Sequence, residues 1–192
     1  MTQATITNAS WNTLNSSTLD CQYLYPFVNN TLDMDGTQYP GRALMQADVW
    51  TDTTSDPNLT LSSLVNNDTG FAWNGYQVNV VMSVPFSFVG APNPSPPADW
   101  VIAGVVNPTH QITGDWAGFW EGTLFYTGPS TIDITGQLGF QYTVQFDSST
   151  HYIITQEMIP SMVPVPEPST LVLLALGGMG LAVMRRNSRK GI

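Results

Sequence analysis

The stretch "IDITGQLGFQYTVQF", residues 132–146, decides the fold class. Its even positions are Ile132, Ile134, Gly136, Leu138, Phe140, Tyr142, Val144 and Phe146, all apolar or glycine. Its odd positions are Asp133, Thr135, Gln137, Gly139, Gln141, Thr143 and Gln145. A period of two held over this length describes extended chain with one dry face and one wet face, and it is incompatible with a helical stripe. Working outward, "TGPS" (127–130) and "DSST" (147–150) are turn signals. They predict that 118–159 forms a three-stranded meander. A second alternation places Tyr76, Val78, Val80, Met82, Val84, Phe86 and Phe88 on one parity, with Pro85 on the other. Pro85 predicts an edge strand or a break there, because proline cannot donate to a ladder. "VIAGVV" (101–106) and "RALMQADVW" (42–50) are weaker strand candidates. No helical pattern of ten or more residues precedes Ser169. Alternating faces need a second sheet to cover them, so the expectation is an all-β, antiparallel β-sandwich or jelly-roll-like domain over residues 1–159. "GAPNPSPPAD" (90–99) reads as a stiff loop inside that domain.

Charge is distributed very unevenly. Residues 1–168 hold all 14 acidic residues and a single base, Arg42, for a net charge of −13; Arg185, Arg186, Arg189 and Lys190 follow within the last eight positions. So acidic a body repels phosphate backbones, which argues against a nucleic-acid partner. One cysteine, Cys21, permits no intrachain disulfide, and its ordinary reading is a small apolar packing residue.

Chemistry-bearing patterns are sparse. His110 and His151 lie far apart with no cysteine or histidine at ligand spacing, so neither a metal site nor a cofactor is expected. Asp115 and Glu121 frame "DWAGFWE", a carboxylate pair beside aromatic residues, but a glycosidase also needs a cleft between its carboxylates. Trp116, Trp120 and Tyr126 are the residues a sugar-stacking surface would use, whereas the shared parity of Trp120, Leu124 and Tyr126 places them in a core. Asp33 and Asp35 in "DMDG" (33–36) form a fragment of a calcium loop without its remaining ligands, and otherwise read as solvated turn residues. The expectation is a protein without enzymatic activity, with a carbohydrate- or calcium-binding module as the alternative.

The carboxy terminus is the most informative part. Pro-rich sequence at 160–168 leads to Ser169–Met184, 16 residues without a charge, and then to the basic residues 185–192. As a helix this run spans about 24 Å, slightly less than a hydrocarbon core, with flanking arginines able to snorkel. It is apolar on every face, which favours a membrane span over an amphipathic core helix. The positive-inside rule keeps Arg185, Arg186, Arg189 and Lys190 in the cytoplasm and puts residues 1–168 on the other side.

Val165-Pro166-Glu167-Pro168, the apolar run and Arg185-Arg186 together resemble the PEP-CTERM sorting signal, over about residues 164–188. The resemblance implies a bacterial exported protein and an exosortase-type membrane transpeptidase as partner. It also implies a membrane-anchored precursor held in lipid by 169–184, and a mature form at the cell surface, secreted, or in the exopolysaccharide matrix. Two prolines keep the recognition site extended, and Glu167 is the charge nearest the scissile region. Members of that family carry an amino-terminal secretion signal; "MTQATITNASWNTLNSSTLD" has neither a basic nor an apolar region of that kind, so either a signal lies upstream of Met1, the favoured expectation, or export uses another route.

Overall fold

The alternation at 132–146 resolves into two strands that lie in different sheets. The computed structural model describes residues 4–28, 30–55, 57–94, 97–146 and 149–162. In chain order the strands are β1 (Ile6–Thr13), β2 (Leu19–Val28), β3 (Thr31–Gln38), β4 (Ala43–Thr51), β5 (Asn58–Asn67), β6 (Trp73–Met82), β7 (Phe86–Pro94), β8 (Val101–His110), β9 (Trp120–Ile132), β10 (Gln137–Phe146) and β11 (His151–Met162). A six-stranded sheet runs β1-β4-β11-β6-β9-β8, and a five-stranded sheet runs β2-β3-β5-β10-β7. Among the described residues there is no helix.

The inward faces of both sheets supply one core. Leu138, Phe140, Tyr142 and Val144 of β10 meet Tyr76, Val78, Val80 and Met82 of β6, with Leu124 and Tyr126 of β9, in one buried cluster. Ring pairs such as Tyr76–Phe140 at 5.9 Å and Tyr126–Phe140 at 5.5 Å bridge the two sheets. Aromatic contacts of this kind add to the burial of apolar area that holds a sandwich together.

The predicted meander does not form. β9 pairs with β6 and β8, β10 with β5 and β7, and β11 with β4 and β6. Only β2–β3 and β8–β9 are sequential neighbours within a sheet; every other connection crosses from one sheet to the other. One pair, β3 with β5, is parallel. Parity tells which face a residue takes, and both sheets turn that face to the same core, so periodicity cannot say which sheet a strand joins.

"TGPS" is likewise not a turn. The β6–β9 register pairs Gly75 with Thr127 and Trp73 with Ile132, so residues 128–131 bulge out of the ladder. Trp100 packs over that bulge. A Cβ on Gly128 would come within 2.3 Å of the indole, so no larger residue fits there, and the indole Nε1 donates to the Ser130 carbonyl at 3.0 Å. The real turn follows at Asp133–Gly136, where Thr135 takes a positive φ of 71°.

The break at Pro85 is observed between β6 and β7. Residues 90–94 of the Pro-rich stretch belong to β7 rather than to a loop, and β7 is an edge strand, where proline is tolerated. "RALMQADVW" becomes β4, an interior strand, while "VIAGVV" lies in the edge strand β8. β11 continues through Met162, so residues 160–162, read from sequence as spacer, are strand.

Candidate functional site

The sorting motif at 165–168 and the run at 169–184 lie outside the described residues, as do Arg185, Arg186, Arg189 and Lys190. Among the described residues no helix is long and apolar enough to cross a membrane. What the structure does define is the place from which the motif departs. β11 is the last strand among the described residues and lies inside the six-stranded sheet, laddered to β4 from His151 to Met158 and to β6 from Ile154 to Met162. The tail therefore leaves from a strand that is held on both sides from Ile154 to Met158 and by β6 alone from Ile159 to Met162.

The turns surrounding that exit are fixed by buried amide side chains. Asn67, fully buried, donates from Nδ2 to the carbonyls of Phe71 (2.8 Å), Ile132 (3.0 Å) and Asp133 (3.2 Å). Its Oδ1 accepts from the Thr69 amide at 3.0 Å and from the Thr69 hydroxyl at 2.7 Å, and that hydroxyl in turn accepts from Trp73 Nε1 at 2.9 Å. The Asn67 backbone accepts from Thr135 at 2.7 Å and donates to Gly136 at 2.8 Å, which holds Thr135 in its left-handed conformation. Gln38, also fully buried, donates to the carbonyls of Gly41 (3.0 Å) and Met158 (3.2 Å) and accepts from the Tyr76 hydroxyl. Burial holds the Tyr76 hydroxyl well above its ordinary pKa, so it remains protonated and donates to Gln38. Sequence reasoning passed over both amides. Their signal was faint: single polar residues at inward parity near strand ends.

A second polar assembly lies on the outer face of the six-stranded sheet. Asn79, Val81, Thr155 and Glu157 have outward parity, yet they are only 6, 1, 4 and 2% exposed. Glu157 Oε1 is ion-paired with Arg42 Nη1 at 2.8 Å, and its Oε2 accepts from Asn79 Nδ2 at 2.8 Å. Asn79 Oδ1 then accepts from Gln77 at 2.8 Å and from the Thr123 hydroxyl at 2.9 Å. The other guanidinium nitrogen of Arg42 meets Asp115 at 3.3 Å. Asp115 belongs to the β8–β9 loop, which the left-handed Gly114 and Gly118 help to turn. Arg42 therefore ties that loop to the outer face. Glu121 sits beside this group, and its carboxyl is held above the usual range by burial first and by the Glu157 charge second.

The remaining sequence candidates scatter. Asp115 and Glu121 go to different partners and do not form a pair across a cleft. Tyr126 is 1% exposed in the core, which removes it from any sugar-stacking surface, while Trp120 is half-buried against the core and Trp116 half-buried in the loop. Asp33 and Asp35 project from the middle of β3 rather than from a turn, so "DMDG" has extended geometry and not that of a calcium loop. Among the described residues no three acidic, histidine or cysteine side chains converge as a metal site would require. His151 stacks on Trp50 at 4.8 Å and approaches Asp48 at 3.1 Å, whereas His110 meets the edge of Trp120 at 5.6 Å. Cys21 is half-buried, 3.0 Å from the Thr13 hydroxyl.

The last described strand ends at Met162, and the sequence beyond it holds the prolines, the uncharged run and the basic end of a terminal sorting signal. Residues 164–187 match the PEP-CTERM protein-sorting motif, and the tail is that signal. The match implies a membrane-anchored precursor processed by an exosortase, itself a membrane protein, followed by a surface or extracellular location. No curated protein and no solved structure matches the chain at a significant level.

Proposed function

We propose that this chain is a non-enzymatic component of the cell surface or of the exopolysaccharide-rich matrix, delivered there by its terminal signal. In this reading Val165, Pro166, Glu167 and Pro168 are read by the transpeptidase, residues 169–184 hold the precursor in lipid, and Arg185, Arg186, Arg189 and Lys190 keep its end in the cytoplasm. The observation that carries it is the ordered sequence of proline-marked motif, uncharged run and basic end, attached to a body whose charge is almost wholly acidic. Three of the buried polar side chains of that body serve structure. Asn67, Gln38 and Glu157 each have partners that pin turns or a loop, and none of them lines a cleft with an unused base. An anionic, lysine-free body suits a hydrated polysaccharide environment, where net charge opposes self-association.

The test is fractionation of the native host expressing the full chain and a Glu167→Ala variant. Wild-type protein is expected at the surface or in the medium, with the variant retained in the membrane fraction. Equal distribution of the two forms would refute the reading.

A further inference from the structure

The topology also specifies which face of the body confronts the sorting machinery. We propose that the exit end of the sandwich, formed by the turns at 67–73 and 132–136 with Asp99 beside them, docks against a cationic patch on the membrane-embedded sorting peptidase. This inference rests on the sorting role proposed above and adds to it the docking face and its chemistry.

Reach is the first argument. Glu167 follows Met162 by five residues, at most about 18 Å of extended chain. β11 has 12 residues and is itself about 40 Å long, so the far end of the body lies well beyond any enzyme engaged at Glu167. The tether cannot be lengthened cheaply by peeling β11. Ile159, Pro160 and Ser161 are in register with Gln77, Tyr76 and Gly75, and the Met158 carbonyl is held by Gln38.

Chemistry is the second argument. Asp68, Asp99 and Asp133 are all exposed at this end. Arg42, the base just before β4, already serves Asp115 and Glu157. The face is therefore anionic. It repels acidic headgroups and complements a basic protein surface. Ile134, 47% exposed at the tip of the Asp133–Gly136 turn, offers an apolar contact within the same surface. The Asn67 and Gln38 networks make the face rigid before it meets a partner, which lowers the ordering cost of docking.

The test uses the full chain in its native host. A photo-crosslinking residue is placed at Asp68 or Asp133, or at Ser83 or Thr53 on the far end. Crosslinks from the first two to the peptidase, identified by mass spectrometry, with none from the last two, are expected. An Asp68→Lys/Asp133→Lys variant leaves Asp99 intact because it holds Ser130. It should be processed about tenfold more slowly than wild type with an unchanged melting temperature, since each 1.4 kcal/mol is tenfold. Ten flexible residues inserted after Met162 should restore its rate. Crosslinks from both ends alike, crosslinks to lipid alone, or processing of the double variant at or above the native rate would overturn the proposal. Failure of the sorting role itself appears separately, as unimpaired processing of Glu167→Ala.

Discussion

The two ends of the sandwich are built differently. At the exit end, buried Asn67 binds three carbonyls in or beside two turns, and buried Gln38 binds the carbonyls of Gly41 and of Met158 in β11. At the far end the corresponding contacts are shorter in range or more exposed. Asn30, half-buried at a φ of 55°, accepts from the Ile6 amide at 3.2 Å and donates to the Ala4 carbonyl at 3.3 Å. Asp52 accepts from the Thr5 amide at 2.8 Å in an exposed position, and Tyr152 bonds locally to Ser149. A buried amide is costly to leave unpaired and therefore fixes its surroundings, whereas an exposed one exchanges freely with water. The lesson is that this body is most firmly ordered where its tail departs.

That contrast can be broken most forcefully at Asn67. Asn67→Ala should destabilise by about 3–4 kcal/mol, because three carbonyls and the Thr69 hydroxyl lose a buried partner; urea denaturation of residues 1–162 checks it. Arg42→Met should cost about 2 kcal/mol. This lies between the values for exposed and fully buried pairs, because Arg42 is half-exposed while Glu157 is not. The same variant should increase amide exchange in residues 111–119, now untied from the sheet. Asn30→Gly, the far-end counterpart of the Asn67 change, should shift stability by less than about 1 kcal/mol, since glycine relieves the positive φ while two half-exposed bonds are lost. A cost equal to that of Asn67→Ala would erase the difference between the ends.

The smallest effect is one of pH. Glu121 has its folded pKa raised, so the folded state holds its proton more tightly than the unfolded chain does. Stability from this group therefore falls as pH rises through and above the ordinary carboxyl range. Glu121→Gln should melt slightly higher than wild type at pH 7, and the gap should close as pH is lowered towards 4. A gap that widens on acidification would contradict the assignment.

Much of this was legible in the chain. The parity of Leu138 to Phe146 and of Tyr76 to Met82 gave strands and their inward faces, and Pro85 gave the break between β6 and β7. Sheet membership was hidden, because Ile132 and Leu138 keep one parity while the chain crosses from one sheet to the other between them. The β3–β5 parallel pair was hidden for the same reason: β4 leaves for the opposite sheet and returns. The outer-face group eluded pattern reading because Glu157 and Val81 stand at wet parity and are buried only by what folds over them. One hint was present. Arg42, the single base among 14 acidic residues, had to choose partners, and they proved to be Asp115 and Glu157. The tail was readable without any structure, since a sorting signal is recognised as a local string of prolines, apolar residues and charges.

The most direct measurement is the intact mass of the mature protein recovered from its native host, combined with amide exchange along β11. The account predicts loss of roughly the last 25 residues, as membrane-signal processing requires, with a new terminus beyond Met162 and with Thr155–Ser161 still protected. A full-length mass in the mature fraction, or a terminus inside β11 with those amides exchanging freely, would contradict it.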